Sequence, residues 1–421
     1  MTVIGIDDTD SRERGMCTTY VAARLAERVH EAGGQVERTL LVRLNPAVEH
    51  KTRGNAALAV HCDLPADEAL ALADTALDRA ETADPRTNPG AVVSPARPET
   101  VGDAVADVAR RGVRELLALD DVRAVLDSEG LRTAERGMGR GLIGATAAVG
   151  AFRAFEEWTD ECISYRERER WGTERDVDYE SVVAAANDGY PDVWDTVDRE
   201  EGVAVCVPRT PCPILHGIRG DDAAAVERVA DAIESEPVAR THTFDTNQGT
   251  DAHLRDGQIG ALQDGRAYRV TGTVASAPET KAGGHVFVSL EGNGAVLRCA
   301  AFEPTKRFRD RVRALRAGDR VTVCGEVGDG TLKLEKFAVR NLVTTELVNP
   351  TCPECGRSMA SAGANAGYRC RDCDTSADGK VERQIDRAIE HGWYEVPPVA
   401  RRHIAKPLVR GGFDAPTHPE R

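Results

Sequence analysis

Residues 2–26 read TVIGIDDTDSRERGMCTTYVAARLA. Val3, Ile4 and Ile6 make 2–6 a short buried strand. Asp7-Asp8-Thr9-Asp10-Ser11 then turns the chain, and Gly15 marks a second turn. A helix starts near Thr18 or Thr19, both suited to the N-cap. Val21, Leu25, Ala26 and Val29 form its apolar stripe, and Gly33-Gly34 ends it. Strand, acidic turn and helix in direct succession make the N-terminal region α/β and place three carboxylates at a strand end.

Outward from this unit, strands are expected around 39–44 and 56–62, helices from about 66 to 130, and a glycine-rich stretch from Arg136 to Gly150. Together these form an N-terminal domain over 1–157. Residues 158–258 read β-α-β-β-α-β: strands at Cys162–Arg166, Val203–Val207, Pro213–Gly217 and Ala239–Phe244, with helices over 180–199 and Asp221–Glu234. That order is ferredoxin-like. Residues 266–345 read as five strands with a basic helix, Pro304–Ala317, between the third and fourth, an OB-fold β-barrel. A zinc ribbon over 348–378 and a basic, aromatic segment over 379–421 complete the chain. The fold class is multidomain α+β. Linkers are expected near 151–160, 247–265 and 344–350.

Carboxylates outnumber Lys and Arg by 69 to 54, a formal charge of −15. Such a balance argues against a nucleic-acid binder, but lysine is scarce and the acids are spread evenly. That pattern resembles proteins of high-salt cytoplasm, whose net charge maintains solubility. Charge by region is then more informative: 266–345 holds 14 Lys and Arg against 8 Asp and Glu. A basic OB-fold suits single-stranded or looped nucleic acid, with Lys306, Arg307 and Arg311 as candidate phosphate contacts. A solvated helix face is the alternative. No run of 18 apolar residues suggests a membrane span and no basic-apolar leader opens the chain, so a cytoplasmic location is expected.

Cys352-Pro-Glu-Cys355 and Cys370-Arg-Asp-Cys373 are two knuckles fourteen residues apart. Four thiolates can close a tetrahedral shell around one structural Zn²⁺, which would supply the ribbon's folding energy. Beyond it, Gly392-Trp393-Tyr394 and Arg401, Arg402, His403 and Lys406 suit either RNA contact or a packed C-terminal helix.

Asp7, Asp8 and Asp10 repel one another unless a cation intervenes. Mg²⁺ carrying ATP phosphates is the natural one, and the following helix N-terminus can receive a phosphate. An acidic surface turn is the other reading. Lys51-Thr52-Arg53-Gly54-Asn55 offers a phosphate clamp or a plain basic loop. Arg136-Gly137-Met138-Gly139-Arg140-Gly141 has glycines at phosphate-cradle spacing without a Walker Gly-Lys-Ser/Thr.

In this order the motifs resemble the archaeal tRNA(isoleucine) 2-agmatinylcytidine synthetase family. The residues that carry the likeness are Gly5–Ser11 with Gly15–Thr19, Arg43-Leu44-Asn45-Pro46, Lys51–Asn55, Gly217-Ile218-Arg219-Gly220 and Thr246–Asp251. The resemblance covers nearly the whole chain and implies a kinase-like first domain. It implies joining of agmatine to the 2-position of the wobble cytidine in the CAU-anticodon isoleucine tRNA. ATP is consumed to AMP and phosphate, and AUA codons are then decoded. It implies phosphorylation of the cytidine and of a threonine, Thr18 by motif position. Asp7, Asp8 and Asp10 would position Mg²⁺ and ATP, and Lys51 and Arg53 would neutralise phosphate. Asn247 and Asp251 are expected at the agmatine guanidinium. No protein partner is implied. Two rival readings are a non-catalytic tRNA-binding protein of OB-fold and ribbon, and an ATP-dependent enzyme acting on a small amine.

Overall fold

The computed structural model describes residues 1–49, 51, 54–364 and 366–421. A nine-stranded sheet spans the first 246 residues. Its strands are β1 (Thr2–Asp7), β2 (Val36–Arg43), β3 (Ala56–Cys62), β4 (Gly90–Ser94), β5 (Arg132–Glu135), β6 (Thr159–Arg166), β7 (Val193–Trp194), β8 (Ile214–Gly220) and β9 (Val238–Thr246), in the order β5-β4-β1-β3-β2-β9-β6-β8-β7. The pairing is antiparallel except where β2 meets β9, Leu40 opposite Asp245 and Leu41 opposite Thr246. That single parallel seam fuses two expected units into one sheet. Residues 247–250, expected as linker, are buried beside it. The Asn247 side chain continues the ladder, accepting from the Arg43 N–H at 2.7 Å and donating to the Arg43 carbonyl at 3.1 Å.

Alternation decides the layers. Ile4, Ile6 and Leu41 point to one face, under α1 (Thr18–Glu31) and α2 (Ala66–Leu77). Val3, Leu40 and Val42 point to the other, under α3 (Asp103–Arg114) and α5 (Gly141–Ala154), with α4 (Leu119–Ser128) alongside. The glycine-rich stretch is therefore mostly helix, and small residues let its backbone lie on the sheet: a Cβ on Gly5 would stand 2.1 Å from the Ala145 carbonyl oxygen. Strand β4 falls where only helices are expected, and β5 just after them; each is four or five residues long, too short for periodicity to separate from helix.

The helix expected over 180–199 stops at Gly189 as α6 (Tyr179–Gly189), since Pro191 cannot donate to a continuing helix. The inner strand expected at 203–207 is only Val203–Ala204, paired with Val197–Asp198 off the main sheet; β7 takes its place. Helix α7 (Ala223–Asp231) begins on Asp222, whose carboxylate accepts from the Ala225 N–H at 2.7 Å.

Five strands close a barrel: β10 (Ala267–Val274), β11 (Val286–Gly292), β12 (Ala295–Ala301), β13 (Arg320–Gly328) and β14 (Thr331–Asn341). The basic helix shrinks to α8 (Phe308–Arg313), whose Phe308 and Val312 plug the barrel. Trp393 and Tyr394 lie on β15 (Gly392–Glu395), which pairs with β14. At 3% and 4% exposure they are packed, as a strand rather than a helix, and cannot stack on RNA.

Candidate functional site

A cavity of about 890 Å³ opens between the sheet and the barrel. The sheet side contributes Asp7, Asp8, Asp10, Thr18, Arg43, Lys51, Gly54, Asn55, Arg140 and Glu161; the barrel contributes Glu326 to Asp329 and Lys333. The N-terminal carboxylates and the described part of the basic loop thus share one chamber. Thr52 and Arg53 lie outside the described residues.

Asp7 ends β1, and its carboxylate accepts the Asp8 N–H at 2.6 Å. Burial, with Asp8 and Asp10 nearby, pushes its carboxyl well above the ordinary range. Room for it depends on α5: a Cβ on Gly144 would stand 1.9 Å from Asp7 Oδ2. Asp8 takes a left-handed backbone, φ 59°. Its carboxylate accepts from the Asn88 N–H at 3.1 Å and from Arg140 at 3.2 Å. Burial outweighs both and raises it to about 6. Asp10 is held through its carbonyl by the Thr87 hydroxyl at 2.8 Å. Ser11 donates to Asp84 at 2.7 Å, and the Arg86 guanidinium keeps that carboxyl well below the usual range.

The three aspartates do not converge on one point. Among the described residues, only the four ribbon cysteines bring three or more such ligand atoms within 4.8 Å. A divalent cation here would be held by one or two carboxylates with phosphate oxygens completing its shell, which is the usual habit of Mg²⁺. Two buried carboxyls held above their ordinary pKa range fit such a guest.

Thr18 is the first residue of α1, and Cys17, not a threonine, is the N-cap. Cys17 offers no side-chain cap and the first turn holds no acid, so the helix end keeps its positive character. The Thr18 hydroxyl accepts from Thr9 at 3.1 Å and faces the cavity. Lys51 donates to the Pro46 carbonyl, and burial followed by Arg402 lowers its pKa. Asn55 braces the loop, donating to the Asn45 carbonyl at 2.9 Å. On the opposite wall Glu161 accepts from Arg43 at 3.2 Å, Arg219 at 3.3 Å and Gln248 at 2.6 Å.

Other expected residues lie elsewhere. Asn247 and Asp251 do not line the cavity: Asn247 belongs to the seam, and Asp251 holds Lys336 at 2.7 Å and the Lys406 N–H at 2.7 Å. Arg307 is spent on Asp198 at 3.0 Å, Glu200 and Glu420, and Lys306 on Glu201 at 3.3 Å. Both cross to the sheet unit. Arg311 is exposed, 5.6 Å from the Tyr394 ring centre. Arg401 is buried between Asp195 and Glu395, and Arg402 pairs with Glu326. Sequence reasoning misses Asn88 and Asp84 and gives Arg140 no role; the polar, proline-flanked loop Asp84–Pro89 was the available signal.

Cys352, Cys355, Cys370 and Cys373 gather at the tip of a small ribbon, with Cys355 and Cys370 sulfurs 3.6 Å apart. Four sulfurs about 2.3 Å from Zn²⁺ would stand about 3.8 Å from one another. Its stem pairs Thr345–Val348 with Val381–Gln384, and its core is little more than Cys352, Met359 and Cys370. One tightly held zinc per chain is expected. Cys355→Ser should release it and unfold the ribbon while the sheet unit stays intact; freshly purified protein without zinc in elemental analysis would refute this.

Fold and site define a multidomain α/β protein with a five-stranded barrel and a four-cysteine zinc-ribbon-like site. Family models match residues 3–138 as the TiaS TCKD domain, 139–253 as the TiaS FLD domain and 349–389 as the TiaS C-terminal zinc ribbon domain. The tRNA(isoleucine) 2-agmatinylcytidine synthetase TiaS of Haloquadratum walsbyi is 54% identical over 100% of both chains, and that of Methanosarcina acetivorans 43% over 97% of both. The crystal structure of TiaS in complex with its isoleucine tRNA and ATP is 40% identical with a TM-score of 0.89, covering 100% of this chain and 99% of that one. That of TiaS with the same tRNA, AMPCPP and agmatine is 37% identical with a TM-score of 0.87, with coverage of 100% and 99%. The chain belongs to the TiaS family of tRNA(isoleucine) 2-agmatinylcytidine synthetases.

Proposed function

We propose that the cavity between sheet and barrel is where this chain performs its family's reaction. The chain is an ATP-dependent ligase that attaches agmatine to C2 of the wobble cytidine in CAU-anticodon isoleucine tRNA. The observation that carries this reading is the meeting, in one chamber, of the aspartate turn, Thr18 at a helix N-terminus and a barrel wall. Support comes from relatives solved with the isoleucine tRNA, with ATP or AMPCPP, and with agmatine.

A pyrimidine C2 oxygen leaves poorly; once it carries a phosphoryl group, an amine can add at C2 and the phosphate departs with the electron pair. Asp8, and Asp7 once deprotonated, would hold the divalent cation that accompanies ATP, and that cation would offset phosphate charge. Lys51 and Arg53 neutralise phosphate oxygens, and Arg140 keeps Asp8 oriented. Thr18 presents its hydroxyl beside the helix end, where a phosphate is stabilised. The target cytidine leaves its stack to enter. Residues 1–157 act as a kinase-like unit, 158–258 as a ferredoxin-like unit and 266–345 as an OB-fold; β6, β7, β8 and β9 support the second with the order β9-β6-β8-β7. The agmatine guanidinium is left to carboxylates of the chamber, since Asp251 is already committed to Lys336.

The experiment is nucleoside mass spectrometry of the tRNA after incubation with protein, ATP and agmatine. A cytidine–agmatine adduct is expected only when all three are present. Active ATP hydrolysis with unmodified tRNA would favour an enzyme of small-molecule amines instead.

A further inference from the structure

The barrel carries, next to the cavity, a cluster the proposed chemistry does not use. On β11 and β12 the inward residues Val286, Val288, Leu290, Leu297 and Cys299 fill the core. The outward set includes Phe287, Ser289, Val296 and Arg298, with Ser289 opposite Arg298. Phe287 and Phe302 meet edge to face at 6.3 Å, and His285 meets Phe302 at 5.4 Å. All three rings are half-buried. The Arg298 guanidinium lies 4.1 Å from the Phe287 ring centre, and Val296 beside it is 64% exposed. Among the described residues Arg298 makes no ion pair, although carboxylates outnumber cations 69 to 54. Lys306 and Arg307, a few residues away, are each claimed by acids.

Position gives the cluster its meaning. Arg298 stands opposite Thr331 in the parallel ladder of β12 and β14, and residues 326–329 and Lys333 line the cavity. From Thr331 to β11 is two strand spacings, about 10 Å. The face thus lies within reach of nucleotides that flank a base seated in the cavity.

We propose that Phe287, Phe302 and Arg298 form a stacking platform for unpaired nucleotides flanking the modified cytidine in the tRNA anticodon loop. The proposal rests on the function proposed above. The occupant is RNA because the face offers what unpaired nucleotides need: ring faces for bases and a guanidinium free to meet phosphate. The barrel region is also positively charged, 14 basic residues to 8 acidic over 266–345, in a chain of −15.

The test uses the full chain, a CAU-anticodon isoleucine tRNA transcript, and the variants Phe287→Leu, Phe287→Trp and Arg298→Ala. Phe287→Leu keeps an apolar side chain and removes the ring; tRNA binding should weaken about tenfold or more. Phe287→Trp should bind at least as well as wild type. Arg298→Ala should lower the salt dependence of binding by about one unit of log–log slope. ATP-dependent labelling of the protein without tRNA should be unchanged in all three. Wild-type affinity in Phe287→Leu and Arg298→Ala removes the platform and leaves the enzyme reading standing. Equal loss in the Leu and Trp variants with a lowered Tm makes the cluster mere packing and also removes it. A wild-type chain that does not bind the transcript overturns both proposals.

Discussion

Asp8→Asn should reduce ATP turnover about a thousandfold or more while leaving the fold and tRNA affinity at wild-type levels. Asparagine is the right replacement because Asp8 sits at φ 59°, a left-handed conformation that Asn tolerates and most residues do not. The Asn side chain can still accept from the Asn88 N–H and Arg140. What it cannot do is carry charge to a cation bearing phosphates. The sign of the stability effect follows from the raised carboxyl. Asp8 holds its proton to about pH 6 in the folded chain, above the range of an unfolded aspartate. The folded state thus binds more protons between those values, and ionising Asp8 costs stability as pH rises through 6. Removing the charge should leave Tm at about pH 8 equal to or above wild type. Nucleotide-dependent activity of the wild type should fall as pH drops below 6, where Asp8 gains a proton. A structural turn would behave oppositely, with Tm lowered and turnover intact. Thermal melts, tRNA binding and AMP release on the one variant decide between them.

Thr18→Ala should abolish transfer of the ATP γ-phosphate label to the protein. Thr18 is only 5% exposed, yet it lines the cavity at a helix end that no side chain caps. Thr18 is not the N-cap, so its loss removes no cap, but it takes the acceptor from the buried Thr9 hydroxyl and should cost about 1–3 kcal/mol of stability. Thr18→Ser should retain the label. Mass spectrometry of the labelled protein gives the position. Label on another residue, with Thr18 unmodified, would refute the assignment and leave the aspartates' role untouched.

What could be read from the sequence was what the chain writes locally. The strand, aspartate turn and helix follow one another without interruption, and the cysteine knuckles announce themselves by spacing. Partners from far away could not be read. Arg140 meets Asp8 across 132 positions, and no pattern near either residue marks the other. The pairing of charges was hidden for the same reason. Lys306 and Arg307 were legible as basic, but Asp198, Glu200 and Glu201, which neutralise them, come from the sheet unit. Arg401 reads equally as an RNA contact or as part of a packed segment, and only Asp195, seen against it, decides for packing. The parallel seam of β2 and β9 was hidden too, because its partners lie far apart in the chain and the strand order carries no local signal.

The segment from Arg401 to Arg410 works as a clasp between distant parts of the chain. Asp195, Glu157 and Asp221 receive their counterions from Arg401, Lys406 and Arg410. Those carboxylates and the cations that settle them lie roughly 190 to 250 positions apart in the chain. A buried acid without its partner is strongly destabilising, about 3–5 kcal/mol for a broken buried pair. Of the three acids only Asp195 has a buried side chain, so the sheet unit keeps a settled interior only while Arg401 stands against it, and the 401–410 segment fastens sheet to barrel.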